Sequence, residues 1–534
     1  MKGPEVQVQV AVVDSDEQST HEDGHTDPDS RWISQSLNPI RELVFVIVLL
    51  GAQVFAQAGM GQTVCILQVI ASAFNVTHPG ELSWLIAGYS LTVGSFILLS
   101  GRLGDYFGHK PLFIAGMLWY TACSVVSGLS VYSSQYLFIL SRVLCGIGPS
   151  VCIPNALAIL GRAYPPGMKK NVIFGLYGGL SPIGFVFGAV ISSLFAEHVW
   201  WPWGYWTVGM LAAGASLGAY LAVPESPSLF STLKTRPSLK ETLWATDIPA
   251  GALGITALVL FNLAWNQAVV VSWTVPYIPV FLVLGVLFAA AFFYVEVKIS
   301  PAPLIPFQAL NAQVAYTLAC VAAAWGGYGG YTYYYWATLL IFEEKPSLLA
   351  AAYTTPPILV GFGGALLTGY LMAKLHPAII MVMSVAFVLV SLVLFATYPP
   401  GQSYWAQLFP SMIFAPLGLD MSFPAAILIL SNAVGRENQG MAMSLVNTLV
   451  NYSVSISLGV AGTIEQQVTK NMPEGPEKTL AGYRSAEYWA CAVAAFGLLL
   501  SLVFLWRSSR RGGLRPAKEL SDMEVVYAGV DDVV

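Results

Sequence analysis

Acidic side chains are scarce in the apolar parts of this sequence, so the one that lies deep in such a stretch, Asp420, is the first candidate for chemistry. It stands in Phe414-Ala415-Pro416-Leu417-Gly418-Leu419-Asp420-Met421-Ser422-Phe423-Pro424, where two prolines open the backbone hydrogen-bond ladder on either side. A carboxyl in that setting can bind and release a proton, or it can be the structural partner of a buried cation. The cation on offer is Arg142, alone in the middle of another apolar stretch. An arginine there costs at least about 2.5 kcal/mol to insert, so it must face a cavity, meet a partner or cap backbone carbonyls. Glu465 and Glu487 fall near the expected ends of their stretches, which leaves Asp420 as the proton carrier and Arg142 as its modulator, with plain pairing of the two as the alternative.

Neutral polar groups form a second set. Gln53, Gln57, Gly61 and Gln68 recur at steps of 4 and 11 residues, which return to one broad helical face. Together with Gln62 they predict an amide stripe that either lines a cavity or bonds between helices. Trp325-Gly326-Gly327-Tyr328-Gly329-Gly330-Tyr331-Thr332-Tyr333-Tyr334-Tyr335-Trp336 is an aromatic run suited to amphipathic solutes or to cations over ring faces, with Trp336 reading as part of an interfacial belt. Ser444, Asn447, Asn451 and Ser455 make a polar stripe that serves substrate or packing equally well. The substrate-binding set is therefore Gln57, Gln62, Tyr328, Tyr331, Asn447 and Asn451.

These residues need rigid elements to hold them, and composition says which. The chain has 534 residues, 56% hydrophobic and only 10% charged, against about 25% charged for a soluble domain. That excludes a soluble enzyme. Fourteen apolar segments stand out: 43–71, 83–101, 112–130, 134–160, 171–196, 203–223, 248–267, 275–297, 312–342, 349–372, 377–397, 403–434, 439–466 and 484–506. Each can cross a hydrocarbon core about 30 Å thick, and each must be a helix because lipid cannot bond to an open backbone. The expected fold class is an all-α polytopic membrane protein. Six cysteines lie inside the apolar segments without CxxC spacing, so neither disulfides nor a metal site is expected, and no cofactor is implied.

An even number of spans puts both ends of the chain on one side. Nineteen of the 24 Lys and Arg residues then share that side, which the positive-inside rule makes cytoplasmic. The formal charge of −5 comes from acidic residues crowded near the two ends and argues against nucleic acid as a partner. Residues 1–40 read as a disordered acidic tail without signal-peptide features. Segment 224–247 reads as a cytoplasmic linker and 467–483 as the longest outer loop. Asn75-Val76-Thr77 falls in the first outer loop, where Asn75 is a glycosylation acceptor close to the membrane.

After the second segment comes Gly101-Arg102-Leu103-Gly104-Asp105-Tyr106-Phe107-Gly108-His109-Lys110-Pro111-Leu112, which resembles the G-x-L-a-D-r-x-G-r-K-x-x-L signature of the major facilitator superfamily. Gly101, Asp105, Gly108 and Lys110 are its gating residues, a charged latch that favours one access state. Tyr106 and His109 depart from the usual basic residues and leave it fewer charge pairs. A fainter echo, Gly369-Tyr370-Leu371-Met372-Ala373-Lys374, follows the tenth segment. Arg142-Val143-Leu144-Cys145-Gly146-Ile147-Gly148 resembles the family's R-x-x-q-G-x-G element. Gly184-Phe185-Val186-Phe187-Gly188-Ala189, with Pro182 displaced upstream, partly matches its antiporter element, and Gly175, Gly179, Gly184 and Gly188 suit a pivot between helices. Trp201-Pro202-Trp203-Gly204-Tyr205-Trp206 resembles a motif of fourteen-span drug:proton antiporters. With Ala56-Gln57-Ala58-Gly59-Met60-Gly61-Gln62 and Asn447-Thr448-Leu449-Val450-Asn451-Tyr452-Ser453, the chain is most similar to fungal aminotriazole- and boron-resistance transporters, over about residues 40–507.

That resemblance implies two six-helix bundles, 41–223 and 298–506, with two inserted helices at 248–297 and a cytoplasmic tail at 507–534. It implies efflux of a small toxic compound or secondary metabolite by alternating access, driven by proton entry, from a monomer in the plasma membrane. The acid that many such exporters carry in the first span is absent here, where Gln57, Gly59, Gln62 and Thr63 stand. This favours the alternative of a uniporter or importer of a small polar or cationic solute, boron- or ammonium-like. A third reading is a solute sensor that does not transport. The expected partners are a small-molecule substrate, protons and the lipid bilayer. No Walker motif is present, so no ATP-coupled or enzymatic chemistry is expected.

Overall fold

Helix is dictated here by the solvent, and helix is what forms. The computed structural model describes residues 33–76, 79–164, 168–225, 230, 237–301, 303–305, 307, 311–372, 374–433 and 439–512, and no strand occurs among them. After a helical turn at Ile33–Ser36 come α1 (Pro39–Val64), α2 (Leu67–Phe74), α3 (Pro79–Phe107), α4 (His109–Leu129), α5 (Gln135–Cys145), α6 (Ile147–Ala163), α7 (Met168–His198) and α8 (Pro202–Ala222). The short α9 (Leu239–Ala245) precedes α10 (Ile248–Val271) and α11 (Tyr277–Lys298). Then follow α12 (Ala312–Ala337), which runs into a π-helical turn at Thr338–Phe342, α13 (Ser347–Tyr353), α14 (Pro356–Met372), α15 (Pro377–Ala396), α16 (Leu408–Ala433), α17 (Gln439–Thr469) and α18 (Pro476–Gly512). Polar caps start several of them: Asn38 accepts from Arg41 N at 2.8 Å and Asn311 from Val314 N at 2.9 Å.

Helix occupies each of the fourteen expected segments. Ten helical segments among the described residues are long and apolar enough to cross a membrane by length and composition. The chain is an all-helical, multi-pass membrane protein. Several boundaries differ from expectation, for local reasons. The first segment breaks at Cys65–Ile66, the fourth at Gly146, and the tenth before Pro356, which has no N–H to continue a helix. The expected outer loop 467–483 is largely helical: α17 runs to Thr469, and α18 begins at Pro476, where the missing N–H is harmless and Glu477 complements the helix dipole. Arg484 and Glu487 therefore lie within α18, Glu487 about 16 Å from its start, and Glu487 is not near a helix end as expected. Residues 1–32, 513–534 and most of 226–236 lie outside the described residues, so the expected tails and most of the linker do too.

Two large hydrophobic cores form. One gathers residues between Phe45 and Val223; the other is built mainly from residues between Val314 and Phe504. Within the first, α1 packs along α7 and α4 against α6 and α8; within the second, α15 packs on α16 and α18, and α12 on α17 and α18. Across the middle, α3 meets α17 and α7 meets α14. The paired helices α10 and α11 attach through α10 to α3 and α17. Asn262 Nδ2 donates to Ser455 Oγ at 2.8 Å there, and Tyr452 OH donates to Leu258 O at 3.3 Å.

Glycines make the central contacts close. A Cβ on Gly184 would stand 2.6 Å from Val54 O, and one on Gly188 would overlap the Ala58 carbonyl. On the opposite side of α7, Gly179 faces the Phe362 ring and Gly175 faces Leu366 of α14. Helix α7 thus slides between its own half and the other, held by backbone contact on one face. Gly188→Leu should force α1 and α7 apart and cost about 1–3 kcal/mol. Thermal unfolding in detergent, followed by tryptophan fluorescence, should show the loss.

Candidate transport site

A cavity of about 120 Å³ lies between the two halves. From the first half come Gln53 and Gln57 of α1, Tyr89 and Ser90 of α3, and Ser181, Pro182 and Phe185 of α7. From the second come Trp325, Tyr328, Tyr331 and Thr332 of α12, Asp420 of α16, and Asn447 and Asn451 of α17. Among the described residues that line it, Asp420 is the only charged one. Its carboxylate packs where α7, α14 and α16 meet: a Cβ on Gly361 would overlap Asp420 Oδ2 and stand 2.7 Å from Pro182 Cγ. No ion pair to Asp420 occurs among the described residues. The carboxylate therefore sits on the seam between halves, where its charge state bears on how closely α7 and α14 can approach.

The wall around it is aromatic. Trp325 and Tyr328 meet edge to face at 6.0 Å, Tyr328 and Tyr331 stack at 5.8 Å, and Trp325 Nε1 donates to Ser422 Oγ at 3.1 Å, which fixes the indole. Asn447 and Asn451 each donate through Nδ2 to a carbonyl four residues earlier, Met443 O and Asn447 O, both at 2.9 Å. That tethering leaves their amide oxygens as acceptors toward the cavity, and Gln53 and Gln57 add amides opposite.

Not every expected residue arrives. Gln62 is fully buried and both its amide atoms lack a partner among the described residues. It is five residues from Gln57, about 140° round the helix, and faces away from the cavity. Gln68 belongs to α2, beyond the break, and lines a crevice with Tyr333 and Trp336. Trp336 is 2% exposed and meets Phe185 at 6.2 Å across the halves, so it packs into the seam and is not an interfacial anchor. The stripe on α17 also divides: Ser444 faces Gly101, and Ser455 serves α10. Ser90 and Ser181 line the cavity without having been singled out in sequence, and Phe185, quoted there only within the partial antiporter match, lines it as well.

Arg142 is buried, and it does not reach Asp420. Its guanidinium bonds to Gly59 O and lies over the rings of Tyr89 and Tyr205, 4.6 and 5.5 Å from their centroids. Helices α1, α3, α5 and α8 are pinned together by this one side chain. The alternative of a pair with Asp420 is not realised: Arg142 gives one Nη to Gly59 O and lies over two rings of its own core, while its Nε and Nη1 have no hydrogen-bond partner among the described residues.

The latch is likewise contained in the first half. Asp105 pairs with Arg162 Nη2 at 3.0 Å and approaches His109 Nε2 at 3.3 Å, while His109 Nδ1 bonds to Asn155 Oδ1 at 2.7 Å. Gly108 adopts φ +102°, a turn open to glycine, and Lys110 lies 5.5 Å from the Tyr220 ring centroid. Gly101 lies against Ser444 of the other half, so the motif reaches the seam by packing and not by charge. Because Asp105 and Arg162 are partly exposed, their pair is worth about 1 kcal/mol at most. Asp105→Asn should shift the ratio of access states by about fivefold or less. Cysteine accessibility from each side of the membrane would read that shift.

Asn75 is exposed and ends α2 in a left-handed conformation, while Thr77, needed for its glycosylation, lies outside the described residues. No group of metal-ligating side chains occurs among the described residues.

A two-part helical bundle with a central cavity on the seam is the geometry of an alternating-access carrier. The profile of the Major Facilitator Superfamily matches residues 49–460. The chain belongs to the Major Facilitator Superfamily. It is 42% identical to a "Low affinity ammonium transporter" of Saccharomyces cerevisiae, over 87% of this chain and 88% of that protein. It is 39% identical to "Efflux pump terJ" of Aspergillus terreus, over 93% of each. To the "Aminotriazole resistance protein" of Saccharomyces cerevisiae it is 30% identical, over 95% of this chain and 92% of that one. It is thus a membrane transporter of that superfamily, with relatives that include both fungal efflux pumps and an ammonium transporter.

Proposed function

We propose that the chain exports a small amphipathic or cationic solute in exchange for entering protons, with Asp420 binding the proton. The observation that carries this reading is the single unpaired carboxyl on the seam of the central cavity. In its neutral form the acid lets α7 and α14 pack together; ionised, it calls for water, a cation or a proton. Proton and solute therefore favour different approaches of the halves, which is what exchange requires. Helices 41–223 and 298–506 form the two rocking bundles, 248–297 is the inserted pair, and the fourteen spans leave both termini in the cytoplasm. The plasma membrane is the proposed site, and a monomer suffices because the cavity is formed by one chain.

The lining bears on the solute: amides, aromatic rings and one carboxyl suit a small amphipathic or cationic molecule. The efflux pump and aminotriazole resistance relatives favour export. The ammonium transporter relative, with the lack of an acid in α1, favours the second reading of a uniporter or importer of a small cation.

Flux in reconstituted vesicles separates the two. With an acidic lumen imposed, labelled aminotriazole should accumulate beyond protein-free vesicles, and a protonophore should abolish the excess. Equilibration of aminotriazole or methylammonium that ignores the gradient would favour the uniporter, and binding without flux would favour a sensor.

A further inference from the structure

We propose that Glu487 is a second proton-binding carboxyl, with its own small inlet apart from the solute cavity; this rests on the proton-coupled reading above. Glu487 is 2% exposed, and neither of its carboxylate oxygens has a hydrogen-bond partner among the described residues. It lines a separate cavity of about 20 Å³ with Tyr398, Tyr483 and Arg484. That volume holds one water. Arg484 stands one turn earlier on α18 but does not bond to Glu487, and its own Nε is without a partner as well.

Between this cavity and the solute cavity stand Phe395, which lines the small one, and Tyr331, which lines the large one; their rings meet edge to face at 5.3 Å. Tyr331 OH bonds with Ser411 Oγ at 3.0 Å, and Ser391 Oγ donates to Ser411 O at 2.8 Å. Tyr331 also lines the solute cavity and stacks on Tyr328. The small cavity is thus separated from the large one by rings and hydroxyls of the second half, away from the seam where the halves part. The remaining ionisable neighbours are accounted for elsewhere. Tyr398 OH donates to Glu343 at 2.6 Å, Lys345 stands 3.9 Å from that carboxylate, and Tyr334 OH donates to Glu465 at 2.7 Å. Cys491 follows Glu487 by one turn on the same helix.

A buried carboxylate without hydrogen bonds or a paired cation lacks compensation for its charge, and binding a proton supplies it. A hydronium ion entering the small cavity gives its proton to Glu487 Oε, where an O–H bond forms, and leaves as water. The inlet stays usable whichever access state the halves adopt, because every residue that lines it, from Thr338 to Glu487, belongs to the second half. Asp420 marks the meeting of proton and solute; Glu487 holds a proton where the solute does not go.

Infrared spectroscopy of the full-length protein in proteoliposomes, titrated with pH, tests this without a solute. Wild type should show protonated-carboxyl C=O bands that titrate; Glu487→Gln should remove one of them, and Asp420→Asn should remove a different one. Glu487→Asp retains an acid and should shift the band, which keeps the test open if the amide folds poorly. A Glu487→Gln spectrum identical to wild type would overturn the proposal and leave Asp420 standing; a spectrum that lacks only the Asp420 band would sink that reading and keep this one. In flux, Glu487→Gln should lower proton-driven aminotriazole accumulation about tenfold while exchange without a gradient stays at the wild-type rate. Equal loss of both would also overturn it.

Discussion

Asp420→Asn is expected to abolish proton-driven accumulation while the protein still binds solute and exchanges it. Asparagine keeps the shape against Gly361 and Pro182 and still fills the seam, but it cannot titrate. The loss should therefore be in uphill transport and not in abundance. Vesicle flux with and without an imposed pH gradient separates the two quantities, and accumulation that survives in the variant would leave the uniporter reading ahead.

Arg142→Gln is expected to weaken the first half without altering the pH profile of transport. The substitution removes a charge-assisted hydrogen bond to Gly59 O, worth about 1.5–3 kcal/mol, and two buried contacts with the Tyr89 and Tyr205 rings. A loss of about 3 kcal/mol or more follows, visible as a lower melting temperature in detergent. Had Arg142 paired with Asp420, the same change would shift the pH dependence of flux. In the structure the guanidinium is held within its own core by Gly59 O and the two rings and makes no pair with Asp420, so the profile should stay in place. A shifted profile at normal stability would contradict the assignment of Arg142 as a structural pin.

Much of this was readable from the residues, and where it was not the reason is geometric. Apolar length specified the helices, because lipid permits no other closed backbone. The pattern also located Asp420, Gln57, Tyr328, Tyr331, Asn447 and Asn451, all of which line one cavity. It misplaced Gln62 because the stripe was read as broader than the face that meets the cavity, and Gln68 because nothing in Cys65-Ile66 announces a break. Arg142 and Asp420 looked like partners since each stood alone in a span; only packing shows that carbonyl and aromatic groups already surround the arginine. Glu487 was passed over because the start of its helix was placed at 484, eight residues late. A proline followed by an acid, Pro476-Glu477, was the start signal available.

The central claim is that proton and solute compete through Asp420. The direct measurement is proton release on adding solute to the purified protein in weakly buffered detergent, read with a pH indicator and corrected for the solute alone. Aminotriazole should release protons from the wild type and none from Asp420→Asn at the same occupancy. Equal release from both proteins, or binding to the wild type with no release at all, would contradict it.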